Sequence, residues 1–219
     1  TLGAQPSVPV LRLPKLPATA GKQHWSNLPG AALSLAIAEA ASAARRFTLL
    51  LTADSQSAER LEQELRFFAP DLPVLHFPDW ETLPYDLFSP HQDIISQRIA
   101  SLYRLPELSH GVLVVPVTTA LHRLAPTKFL LGSSLVLDIG QKLDVEQMRT
   151  RLEASGYRCV DTVYEHGEFA VRGALIDLFP MGSKLPYRID LFDDEIETLR
   201  TFDPCLLYTS DAADDGESV

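Results

Sequence analysis

Three apolar runs constrain the first half of the chain: FTLLLTA at 47–53, VLHF at 74–77 and GVLVVPV at 111–117. Each is too short for a buried helix and lacks polar alternation, so each reads as a strand covered on both faces. Between them lie segments whose apolar residues recur every three to four positions. Helices are expected at Ala31–Arg45, after a cap at Asp54 or Ser55 with Leu61, Leu65 and Phe68 on one face, and at Ser89–Leu105, where Ile94, Ile95, Ile99, Leu102 and Tyr103 form a stripe. Strands alternating with helices predict a parallel sheet covered on both faces, so residues 30–126 read as an α/β layer domain.

The flanks differ. Residues 1–29 hold Pro6, Pro9, Pro14, Pro17 and Pro29 without a clear period, the mark of an extended arm. After Pro126, SLVLDIG is strand-like, and Asp144 caps a helix through Met148 and Leu152 that ends at Gly156. Strands are then expected at 158–164, 169–179, 187–192 and 195–202. Residues 127–204 therefore predict a small α+β domain. From 205 to 219 the tail CLLYTSDAADDGESV loses periodicity and crowds Asp211, Asp214, Asp215 and Glu217. It is expected to be a disordered cloning or assembly remnant, leaving Cys205 without functional weight.

At 219 residues and 46% hydrophobic content the chain can bury a real core. Its formal charge of −10 opposes general binding to nucleic-acid phosphates, so any DNA contact needs a local basic patch. The alanine-rich run GAALSLAIAEAASAAR carries Glu39 and serines and falls short of the roughly 18 apolar residues of a membrane span. With two cysteines and no signal-type opening, a soluble protein of a reducing cytoplasm, away from membranes, is expected.

An α/β domain invites a nucleotide, but the phosphate cradle G-x-x-x-x-G-K-[ST] is absent. Gly21-Lys22 has no glycine five residues earlier and sits in the arm. Where a phosphate loop would open the first helix, SNLPGAALSL offers Ala31 and Ala32 after Gly30. His24, His76, His91, His110, His122 and His166 are scattered without metal-ligand spacing and read as surface or capping residues. There is no G-x-S-x-G elbow, and Asp193, Asp194 and Glu195 read as a solvated turn. No cofactor, metal or catalytic residue is assigned.

What remains is HGEFAVRGALIDLFP at 166–180, an apolar strand broken by Arg172 and Gly173. Taken as one strand pairing with YRIDLF around PMGSKLP, with Phe179 opposite Tyr187, it separates two faces. Val171, Leu175, Phe179, Tyr187, Ile189 and Leu191 form the core face. Arg172, Ala174, Ile176, Leu178, Arg188, Asp190 and Phe192 form the other. Arginine with an aromatic suits a protein interface. The alternative is a solvated face in which the arginines pair with Asp190 or Glu168 and Phe192 is covered by the preceding helix.

The segments DWETLPYDLFSPHQDIISQR at 79–98, GVLVVPV at 111–117 and EHGEFAVRGALIDLFPMGS through LPYRIDLFDDEIETLRTFD at 165–203 resemble the N-terminal part of the bacterial transcription-repair coupling factors. The resemblance covers roughly residues 30–204, and 165–197 is also similar to the UvrA-binding domain of UvrB. It implies a degenerate, RecA-like motor-type α/β domain without a P-loop, followed by a small α+β domain that docks on UvrA. UvrB's damage-probing hairpin has no evident counterpart between Phe77 and Ser89. The residues it implies in UvrA contact are Arg172, Arg188 and Phe192. It further implies a non-catalytic module of an ATP-driven double-stranded-DNA translocase that displaces RNA polymerase. ATP and magnesium would belong to motor domains outside this chain, and another domain could mask the UvrA face. The competing expectation is a nucleotide hydrolase or DNA-binding motor domain.

Overall fold

The computed structural model describes residues 20–82, 87–126, 130, 135–205 and 209–211. The elements in order are α1 (Ala32–Ala44), β1 (Phe47–Thr52), α2 (Ser55–Phe68), β2 (Val74–His76), α3 (Gln92–Arg104), β3 (Gly111–Pro116), the single-turn α4 (Val117–Ala120), α5 (Val145–Ala154), β4 (Arg158–Cys159), β5 (Glu168–Arg172), β6 (Leu175–Phe179), β7 (Tyr187–Phe192), β8 (Glu195–Phe202) and β9 (Thr209–Asp211). They divide into two compact units, residues 1–77 with 106–122 and residues 78–105 with 123–219. The sequence boundary after 126 differs from this division in where 78–105 falls. Residues 20–29 of the expected arm hold no helix or strand, and 1–19 lie outside the described residues.

In the first unit β1, β3 and β2 form a parallel sheet in that order, with Leu50 opposite Val114 and Val74 opposite Val112. Asp54 caps α2 by accepting the Ser57 amide at 2.7 Å. Ile37, Ala38 and Ala41 of α1 and Ala58 and Leu65 of α2 pack with Val74, Val112 and Val114. The alanines let α1 approach closely. On the other face Leu49 and Leu51 of β1 remain 56% and 53% exposed, so the expected cover on both faces is not met within this unit. Ala31 at the start of α1 caps nothing with its side chain.

The second unit is a six-stranded sheet in the order β4-β5-β6-β7-β8-β9, antiparallel except for β4 with β5. Asp144 caps α5 as expected, accepting the Gln147 amide at 3.0 Å. Met148 and Leu152 of α5 bury one sheet face with Phe169, Ile176, Leu178, Ile189, Leu191 and Ile196.

Several expected elements change. Residues 135–138 join no strand, with Leu135 and Leu137 against this core, and the expected strand at 158–164 shrinks to β4. The expected strand 169–179 is two strands, β5 and β6, because Gly173 (φ +63) and Ala174 make a two-residue hairpin turn with glycine where a type II′ turn requires it. Past Pro204 the tail is not wholly irregular: β9 pairs with β8, Phe202 opposite Thr209, since an edge strand offers unpaired backbone groups to any adjacent segment.

Helix α3 begins later than expected, with His91 as its cap. Its deeply buried residues are Ser96, Arg98 and Ser101, while the apolar stripe is only half-buried. Small side chains allow close approach here: Ser96 Oγ accepts the Gly182 amide at 2.8 Å, and Gly182 lies against Ala100. Arg98 donates to the Pro78 carbonyl and stacks 3.9 Å from the Trp80 ring centre, and burial lowers its pKa to about 10. His166 bridges Asp93 Oδ1 and the Ser183 carbonyl, both at 2.8 Å, and packs on Phe179. His76, also expected at the surface, is largely buried and lies 2.9 Å from Glu62.

Candidate protein-docking face

The sheet face opposite α5 follows from the strand registers. Across β5, β6, β7 and β8 one row places Arg172 opposite Leu175, Leu175 opposite Asp190 and Asp190 opposite Thr198. The next places Ala170, Asp177, Arg188 and Arg200 side by side. Beyond these rows the face is closed by an apolar cluster of Val163, Ala170, Phe179 and Phe202. Toward the β7–β8 turn Phe192 is exposed on this face.

The assumed pairing of Phe179 with Tyr187 is one residue out, since Leu178 stands opposite Tyr187. Ile176 and Leu178 consequently belong to the core side, and Leu175 and Phe179 to the arginine side, the reverse of the expectation. Arg172, Arg188 and Phe192 nevertheless share one face. Each of the two differences, an added two-residue turn and a one-residue slip, reverses side-chain parity, and together they cancel.

Asp177 organises the arginines. Its carboxylate is 2% exposed and accepts a fork from Arg188, Nε at 2.7 Å and Nη2 at 2.9 Å, together with Nη2 of Arg172. The Arg188 guanidinium lies 4.8 Å from the Phe202 ring centre. Its hydrogen bond to Asp177 holds its proton more firmly than usual. Neither expected alternative partner serves: Glu168 pairs with Arg158 and accepts the Tyr164 and Glu165 amides, while Asp190 takes Arg200 and the Thr198 hydroxyl. Burial opposes the charge on Asp190, but the hydrogen bonds from Thr198 and Arg200 outweigh it and hold its pKa below the usual range.

Exposure then sorts the three expected residues. Arg188 is 16% exposed and Arg172 48%. Phe192 is 74% exposed, with no cover from a preceding helix, because it ends β7 where Asp193 (φ +61) and Asp194 turn the chain. Those two acids and Glu195 form the solvated turn that was expected, with Asp194 paired to Lys142 at 2.8 Å. Asp177 and Arg200 were not singled out in the sequence. The available signal was a lone acid inside LIDLF, five residues after Arg172 and eleven before Arg188.

An exposed aromatic beside arginines pre-set by a buried carboxylate, on one sheet face of an α+β domain, is a composition suited to protein contacts. Residues 135–214 match the family described as "UvrB interaction domain", a match that continues past Pro204 through β9. Over 86% of its length the chain is 53% identical to the "Transcription-repair-coupling factor" of Escherichia coli (strain K12), covering 16% of that protein. It is 49% identical over 80% of its length to the protein of the same name from Haemophilus influenzae and 28% identical over 83% to that from Bacillus subtilis, covering 15% of each. The chain is similar to one segment of these transcription-repair-coupling factors and spans about one sixth or less of their length.

Proposed function

We propose that this chain is the non-catalytic module through which a transcription-repair-coupling factor recruits UvrA, with Arg172, Arg188 and Phe192 as contact residues. In this reading the parent protein is a cytoplasmic ATP-driven translocase on double-stranded DNA that displaces stalled RNA polymerase, and ATP and magnesium act in its other domains. The module itself uses no cofactor. The observation that carries the reading is the convergence of an exposed Phe192 with Arg172 and Arg188 on one open face of a domain matching the UvrB interaction family.

The test is capture of UvrA by the purified chain. Phe192→Ala, which removes an exposed side chain and leaves the core intact, is expected to weaken capture by about tenfold or more, and Arg172→Ala by a similar factor. Equal capture by wild type and both folded variants overturns the assigned face. Magnesium-dependent ATP turnover by the chain would overturn its non-catalytic assignment.

A further inference from the structure

Arg200 stands out on this face. Arg188 spends Nε and Nη2 in a fork on Asp177, whereas Arg200 makes a single hydrogen bond, from Nη2 to Asp190, and its buried Nε has no hydrogen-bond partner among the described residues. A guanidinium carries five donors, so among the described residues Arg200 leaves donors unused. It lines a groove of about 490 Å³ together with Arg172 and Leu175, and the open end of Arg172 reaches the same space.

A β-bulge adds Glu197 to that groove. Asp190 stands opposite Thr198 and Leu191 opposite Ile196, so Glu197 has no cross-strand partner and its side chain joins the lining. Around the groove and the adjoining ladder, Arg172, Arg188 and Arg200 face Asp177, Asp190 and Glu197. Among the described side chains, Asp177 and Asp190 are already engaged by arginines, while Glu197 is exposed.

Building on the docking proposal above, we infer that the groove between Arg172 and Arg200 receives a carboxylate side chain of UvrA, and that Glu197 opposes its entry. The incoming oxygens accept from the solvent-exposed edge of the Arg200 guanidinium, not from its buried Nε, and from the half-exposed Arg172, and the aliphatic stem rests on Leu175. Phe192 then anchors the contact and Arg200 selects for an acidic counterpart. Glu197 repels an incoming carboxylate and would attract a cation, so its removal should favour an acidic partner.

The experiment is a titration of the chain with UvrA at two salt concentrations, using wild type, Phe192→Ala, Arg200→Gln and Glu197→Gln. Arg200→Gln is expected to weaken binding about tenfold and to flatten its salt dependence. Glu197→Gln is expected to tighten binding about threefold, a gain that loss of folding cannot produce. If Glu197→Gln weakens binding, the groove takes a cation and the inference is wrong. If Phe192→Ala abolishes binding while the Arg200 and Glu197 variants equal wild type, the docking face stands and the carboxylate groove falls. If wild type fails to bind, or Phe192→Ala binds like wild type, the docking reading fails and takes this inference with it.

Discussion

Removal of the Asp177 carboxylate should unfold the second unit far more readily than loss of any surface ion pair. Asp177→Ala leaves Arg188, itself mostly buried over Phe202, as a cation without its forked partner. Breaking a buried pair by deleting one member costs about 3–5 kcal/mol, because the remaining charge loses its compensation. Arg172 adds little, since its half-exposed guanidinium regains water. Against a domain stability of about 5–15 kcal/mol this is a large fraction. With a urea slope near 2 kcal/mol/M, the midpoint should fall by about 2 M. Trp80, stacked on Arg98 within the same unit, reports the transition when Trp25, which packs against the core of the first unit, is replaced by Phe. Asp177→Asn, which still accepts a hydrogen bond but carries no charge, should lose about half as much. Lys142→Ala, which breaks the exposed pair with Asp194, should leave the midpoint in place. A loss below about 1 kcal/mol for Asp177→Ala, the range of an exposed pair, would refute the buried-hub argument.

Two further outcomes follow from other parts of the molecule. Gly111 at φ +134 opens β3 where an added Cβ would stand 2.6 Å from the Pro73 carbonyl oxygen that accepts the Val112 amide. Gly111→Ala should therefore cost about 2 kcal/mol or more and speed hydrogen exchange along β3, and unchanged exchange would show that the loop at Pro73 yields freely. Asp190, whose folded pKa lies below its ordinary value, contributes stability that is present above its unfolded pKa of about 3.9 and is lost as pH falls through the folded value. Acid titration of unfolding below about pH 4 should accordingly be steeper for wild type than for Asp190→Asn, and parallel curves would remove Asp190 from the acid-labile set.

Local signals decided the helices and most strands. Asp54 and Asp144 mark two helix starts because an Asp side chain satisfies an otherwise unpaired amide of the first turn, a demand confined to three or four residues. The apolar runs that became β1, β2 and β3 were equally legible. The α3 stripe was less so: Ser96 is buried and Ala100 lies against Gly182 because the 180–183 loop, distant in sequence, comes close enough that small residues fit best. SLVLDIG looked like a strand for its composition, yet its described residues found no ladder to join.

The candidate docking face shows the division most clearly. The residue types, the period of two and the resemblance between 165 and 203 together brought Arg172, Arg188 and Phe192 to notice. The strand pairing that placed them on one side was wrong twice, at Gly173 and at Tyr187, and the two reversals cancelled. Parity in a sheet depends on every turn length and every register between two residues, and those are set by hydrogen bonds across the whole ladder. For the same reason only the folded chain could reveal that Asp177 lies under both arginines, that the buried Arg200 Nε has no partner among the described residues, and that a bulge adds Glu197 beside them. A sequence determines which side chains can pair; the register of distant strands decides which of them meet.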